Sequence, residues 1–157
     1  MIVVDNTVLS NFARVGRFDL LQLATAELDP HITPAIDEEF RSGVEAGLFI
    51  DTDLQWLKIA ELTDTEQAQC QQLSQELDRG EAEAKAIALS RGWALATDDM
   101  KARRQMKQAG GPVIGTLGIL KMLAQDGGLT TTEADQILTA MIGEGYFSPI
   151  SSLTEIL

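Results

Sequence analysis

One cysteine and one histidine occur in 157 residues. A lone Cys70 excludes an internal disulfide and a thiolate metal cluster. A lone His31 excludes a histidine-rich zinc site and any catalysis that needs two imidazoles. No apolar run reaches the ~18 residues of a membrane span. No basic stretch leading into an apolar segment opens the chain, so no signal peptide and a cytoplasmic protein are expected. Base is also scarce: 12 Lys and Arg stand against 24 Asp and Glu, a formal net charge of −12. Taken alone, that balance argues against nucleic-acid binding, because phosphate contacts come from Lys and Arg. It has two explanations: solubility, or acids concentrated in a site that a cation neutralises. Total charge does not choose between them, since a basic patch can sit on an acidic protein.

What is present is a globular composition, 45% hydrophobic and 23% charged, long enough for one domain with a real core. Met1-Ile2-Val3-Val4 reads as a strand ending at Asp5. Helices are expected over 7–14 and 18–24, a second strand over 28–33, and a helix with Pro34 in its first turn. Ile36, Phe40 and Val44 mark that helix's buried face. Residues 43–53 carry the weakest ordering signal. Residues 56–62 read as a strand or extended segment, and 63–77 as a helix opened by a capping-box pattern at Thr63. An alanine-rich helix over 80–91 is apolar on most sides and therefore buried. The strand Trp93–Ala96, a basic helix to Gln108, a strand over 112–114 and a helix over 116–125 follow. Thr131 or Thr132 is expected to cap a last helix with Ala134, Ile137, Leu138, Met141 and Ile142 on one face. Strands alternating with helices predict a three-layer α/β/α fold around a mainly parallel sheet of four to five strands. The expected organisation is one domain over 1–157, with 129–157 as a C-terminal helical extension packed on it.

Asp5, Asp98 and Asp99 lie at the carboxyl ends of expected parallel strands, which share one edge of a sheet where ligands gather. Carboxylates at a buried strand end are costly unless something compensates them. On the helix after Pro34, Glu39 falls at the margin of the apolar stripe while Glu38 points away from it, so Glu39 is the better candidate. Glu81 and Glu83 both flank apolar positions, and periodicity does not separate them. Each acid also has a purely structural reading. Asp5 and Asp99 can cap the following helices, Glu81 and Glu83 can offset a helix dipole, and Glu81 can pair with Lys85. As a cluster the acids would bind magnesium or manganese, since the available ligands are oxygens. Two such ions ~3.5–4 Å apart support phosphodiester cleavage without histidine.

Four segments in order resemble the PIN domain, the nuclease fold of VapC-type toxins. Val3-Val4-Asp5-Asn6-Thr7 resembles its opening motif, and Ile32-Thr33-Pro34 to Glu39-Phe40 its second. Glu81 to Gly92 resembles the third and Ala96-Thr97-Asp98-Asp99 the fourth. Gly115-Thr116-Leu117-Gly118 and the Gly-Tyr-Phe-Ser tail resemble a VapC-related subgroup. The resemblance implies a Mg²⁺- or Mn²⁺-dependent endoribonuclease with Asp5, Glu39, Glu81 and Asp99 as its acidic quartet. It implies Thr7 and Thr97 as supporting hydroxyls and Asp98 as a spare acid. It further implies RNA as substrate, a toxin–antitoxin setting with a cognate antitoxin, a homodimer and no membrane. The third motif departs from the family, with Glu81 where VapC toxins usually carry Asp. Asn6 stands where a small residue or Thr is commoner.

Lys101, Arg103, Arg104 and Lys107 on the basic helix are candidate RNA-phosphate contacts, with Arg14 and Arg17 nearby. The same residues also read as a solvated helix face. His31, Cys70, Trp56 and Trp93 read as structural. The alternative in a different class is a non-catalytic PIN-fold binding module with a degenerate metal site. A phosphoacceptor receiver domain is disfavoured, because no acidic pair stands at Asp5 and no lysine follows Val113-Ile114.

Overall fold

The computed structural model describes residues 1–50 and 52–157. Strand β1 (Ile2–Val4) is the axis of the fold, with all three residues buried. A strand covered on both faces has to be apolar throughout. It pairs with β2 (Pro30–Ile32) on one side and β4 (Ala94–Ala96) on the other. Strand β3 (Lys58–Ile59) lies beyond β2, and β5 (Val113–Ile114) beyond β4. The order is β3-β2-β1-β4-β5, and every pair is parallel.

Parallel strands require crossovers. Among the described residues, eight helices flank the sheet: α1 (Asn6–Arg14), α2 (Phe18–Thr25), α3 (Pro34–Glu45), α4 (Asp64–Leu73), α5 (Arg79–Arg91), α6 (Met100–Gln108), α7 (Thr116–Gln125) and α8 (Thr131–Gly143). They fall into two packed groups. In one, α5 touches α3, α4, α6 and the central strands; in the other, α1, α2, α7 and α8 pack in a ring. The result is the three-layer α/β/α fold that the alternation of elements predicts. Phe12, Phe40, Ile87, Leu95, Met106 and Leu120 are fully buried in its core. A smaller cluster of Cys70, Leu77, Ala82, Ala86 and Ala102 joins α4, α5 and α6, so the only cysteine is a packing residue.

Several boundaries differ from expectation for local reasons. β2 starts at Pro30, because Asp29 is left-handed (φ 46°), a conformation that ends the preceding turn. Helix α3 runs through Glu45, into the stretch read as weakly ordered; within that stretch, residue 51 lies outside the described residues. Its buried face includes Gly43, whereas Val44 is half-buried. Helix α4 stops at Leu73 rather than 77, with Leu77 buried in the turn before α5. Thr130, not Thr131 or Thr132, caps α8, because Glu133 lies three residues after it and closes a capping box. Ile142 is 40% exposed, off the face formed by Ala134, Ile137, Leu138 and Met141. Beyond α8, Leu153 is buried and its N–H donates to Asp135.

Candidate functional site

Val4 is in register with Ala96, and the Asp5 N–H donates to the Ala96 carbonyl at 2.9 Å. Asp5 therefore stands beside Thr97-Asp98-Asp99 at the carboxyl edge of the sheet. It is 2% exposed. Its Oδ2 accepts hydrogen bonds from Thr7 at 2.7 Å and Thr97 at 2.9 Å. The same hydroxyl oxygens accept from the backbone of the neighbouring acids, Thr7 from Asp98 N–H and Thr97 from Asp99 N–H. The two threonines thus tie the end of β1 to the end of β4. Burial pushes the Asp5 carboxyl above its ordinary value, and these two bonds pull against that.

Geometry separates Glu39 from Glu38, as periodicity expects, and Glu81 from Glu83, which periodicity left together. Glu39 turns inward, and its Oε1 accepts the Gly80 N–H at 3.1 Å. A Cβ on Gly80 would lie 2.7 Å from that oxygen, so glycine is what permits the approach. Burial, then the Asp78 charge, raises the Glu39 carboxyl. Glu38 is exposed and pairs with Arg79 at 3.0 Å.

Glu81 closes a capping box on α5. Asp78 Oδ1 accepts the Glu81 N–H at 2.9 Å, and Glu81 Oε2 accepts the Asp78 N–H at 3.3 Å. Its carboxyl is pushed up to about 7, first by burial and then by the charges of Asp78, Asp99 and Asp5. Glu83 is buried and faces elsewhere. It accepts the Ala35 N–H at the start of α3 and pairs with Arg79. The expected pair of Glu81 with Lys85 does not form, because the buried Lys85 donates to Gln105 on α6.

Asp99 and Asp98 also diverge. Asp99 caps α6 through Oδ1 to the Ala102 N–H at 2.6 Å. Asp98 turns toward α7. Its Oδ1 accepts the Thr116 N–H, and its Oδ2 accepts from the Thr116 hydroxyl and the Asn11 amide. Both Asp98 oxygens are therefore occupied, in a node that joins β4, α1 and α7. The Asp98 charge, after burial, raises the Tyr146 hydroxyl. By contrast Glu39 Oε2, Glu81 Oε1 and Asp99 Oδ2 accept no hydrogen bond among the described residues.

The donor chemistry suits a hard divalent cation. The donors are all oxygens, and among the described residues none of Asp5, Glu39, Glu81 or Asp99 has an ion-pair partner. Among the described residues no three acidic, histidine or cysteine side chains converge closely enough to hold an ion as they stand. Binding one would therefore draw at least one carboxylate off its present rotamer.

The basic helix is partly committed. Lys101 reaches Glu76, and Arg103 donates to the Thr97 carbonyl. Arg104 and Lys107 are exposed. Arg17 pairs with Asp19. His31 bonds the Asp29 carbonyl through Nδ1 and packs on Trp93, and Trp56 meets Phe18 edge-on, so all three are structural.

Sequence reasoning missed Asp78, whose charge raises Asp5, Glu39 and Glu81 alike. The spacing Asp78-x-x-Glu81 is the capping-box signal that points to it. It also missed Asn11 and Thr116 as partners of Asp98. No local pattern announces a contact across 87 residues.

An all-parallel sheet with carboxylates at its carboxyl edge, inside an α/β/α sandwich, is an arrangement that nuclease-like folds share. The chain belongs to the PIN domain family: a family model described as a PIN domain matches residues 1–157. No curated protein matches the chain. PIN domains are generally nucleases that use divalent metals and bind RNA. Among the described residues, no helix is long and apolar enough to cross a membrane.

Proposed function

We propose that this chain is a metal-dependent endoribonuclease and the toxin of a toxin–antitoxin pair, of VapC-like type. The observation that carries the reading is the set Asp5, Glu39, Glu81 and Asp99. The Asp5 charge raises the carboxyls of Glu39 and Glu81, the Asp99 charge raises that of Glu81, and none of the four has a basic partner among the described residues. Acids set beside other acids with no base between them suit a cation's ligands. Mg²⁺ or Mn²⁺ held there would supply Lewis-acid stabilisation of charge on the phosphodiester.

The chain's own residues supply the rest. Asp5, fixed by Thr7 and Thr97, is the rigid member of the set. Asp99 is oriented by the first turn of α6, and Glu81 by the first turn of α5. Without a cation the Glu81 carboxyl is pushed up to about 7; a divalent ion held among these acids would keep it ionised. Arg104 and Lys107 on α6 would attract RNA phosphates from outside the site. A second copy of the chain or an antitoxin would cover exposed apolar residues such as Phe147.

One observation favours the second reading, a non-catalytic binding module: no three of the acids are gathered to ligating distance as they stand. The test is cleavage of a mixed-sequence RNA with Mg²⁺ or Mn²⁺, against EDTA and the Asp5→Asn variant. Metal-dependent cleavage that the substitution abolishes is the expected result. No cleavage by a folded sample free of antitoxin would favour the binding module.

A further inference from the structure

Beside Glu39 lies a pocket that has no part in holding the other carboxylates. Its volume is about 560 Å³, within the range of small-ligand sites. It opens between α1 and the length of α3 with the turn that follows, and Arg79 of α5 stands on its rim. One wall is aromatic. Phe49 lies against Gly43, where a Cβ would stand 2.6 Å from its ring, and stacks on Phe40 with centroids 4.7 Å apart. Both contacts hold the ring in this position against the pocket. The facing wall carries Asn6 and Ser10 of α1, hydrogen-bonded to each other at 3.3 Å. Arg14 follows one turn along.

Arg14 is the unusual member. Its guanidinium donates to the Glu144 backbone carbonyl, and among the described residues it has no carboxylate partner. The other arginine on the rim, Arg79, is tied to Glu38 and Glu83. In a chain of net charge −12, a cation left without an acid beside an acidic site is set for an anion from outside.

We propose that this pocket is a nucleotide subsite for single-stranded RNA. One unstacked base lies against Phe49, with Asn6 and Ser10 facing its polar edge or ribose. Arg14 meets a phosphate next to the one at the carboxylates. The proposal rests on the ribonuclease reading and names the residues beside the carboxylates that hold the neighbouring nucleotide. A base held in a duplex stack cannot enter a side pocket, whereas a free base can stack on an aromatic wall. The acidic edge also repels the close-set phosphates of a duplex more than those of a single strand.

The experiment measures fluorescence anisotropy of a short, labelled, mixed-sequence single-stranded RNA and of an RNA duplex of equal length. Ca²⁺ is the only divalent ion, and the full chain is compared with Phe49→Leu and Arg14→Gln. Phe49→Leu keeps apolar packing on Phe40, and melting curves establish that both variants are folded. Tighter binding of the single strand is expected, weakened about tenfold by either substitution. Arg14→Gln should also reduce the salt dependence by about one released ion. Unchanged binding in both folded variants, or a preference for duplex, overturns the proposal. Cleavage in Mn²⁺ on the same samples separates it from the reading beneath. Binding that needs Phe49 and Arg14 without cleavage upholds the subsite and removes the nuclease. Cleavage whose rate and positions ignore both substitutions does the reverse.

Discussion

Glu66 and Glu81 occupy the same position in the same local motif. Each is the third residue of a helix, and each returns a hydrogen bond to the N-cap backbone. Around them the two regions differ. Glu66 is 1% exposed, and Arg91 reaches its two oxygens at 2.8 Å each. Those bonds hold its carboxyl down at about 2. Glu81 is pushed up to about 7, first by burial and then by the acids around it. An identical capping box therefore fixes where a carboxylate stands but not what it is for. The first belongs to the fold, joining the start of α4 to the end of α5. The second has no basic partner among the described residues, as the proposed ligand role requires.

Breaking the compensated member should have the largest effect. Glu66→Gln retains a capping side chain but leaves Arg91 without its partner. Removing one side of a buried pair costs about 3 kcal/mol. Urea unfolding at pH 7 should record a loss of that size. A loss below about 1 kcal/mol would mean that solvent already screens the pair. The same substitution at Glu81 should not destabilise at all.

The pH dependence sharpens the contrast, because the two shifts have opposite signs. Glu66 has a folded value near 2 and an ordinary value of 4.5. Its stabilisation is complete above 4.5 and is lost as pH falls toward 2, by about 3 kcal/mol. Glu81 has a folded value near 7 against 4.5. Its penalty is absent below 4.5, grows as pH rises to 7, and is constant above that. Metal-free wild-type protein should gain stability on going from pH 8 to pH 5 and lose it below 4. Glu81→Gln should flatten the first limb and leave the second. If both variants follow the wild-type curve, neither glutamate carries the shift.

A smaller effect is expected from neutralising the cluster at fixed pH. Asp5→Asn or Glu81→Gln should raise metal-free stability at pH 8 by about 1 kcal/mol, since each removes a desolvated, repelled charge. Mn²⁺ should raise the melting temperature of the wild type and do so far less in either variant. A destabilised Asp5→Asn that still responds to Mn²⁺ would reassign Asp5 to the fold.

The parts legible in the sequence were those set by short-range pattern. Alternation gave a parallel sheet containing β1, β2, β4 and β5, though not their order, and alanine content gave a buried α5. Strand ends placed Asp5, Asp98 and Asp99 at one edge of the sheet. The rest depended on where neighbouring side chains turn. Asp98 and Asp99 are adjacent in sequence, yet one faces Thr116 and Asn11 while the other caps α6. Glu81 and Glu83 flank similar alanines, but the start of α3 claims only Glu83. Periodicity resolves a helix face, not which of two side chains at its margin meets a neighbouring backbone N–H.

The finest test of the uncompensated region is Gly80→Ala. Gly80 donates its N–H to Glu39, and an added methyl would stand 2.7 Å from the accepting oxygen. The atom it meets is the far end of a flexible side chain, so Glu39 moves and the backbone need not. Alanine in the first turn of α5 contributes up to about 1 kcal/mol of helix propensity, which offsets the lost hydrogen bond. Stability should thus stay within about 1 kcal/mol of wild type. The displaced Glu39 should nonetheless weaken Mn²⁺ binding about tenfold, reducing the ion's stabilisation at saturating concentration by about 1.4 kcal/mol. Melting curves with and without Mn²⁺ measure both quantities on one sample. A wild-type Mn²⁺ response in the folded variant would remove Glu39 from the ligand set and leave Asp5, Glu81 and Asp99 to hold the ion alone.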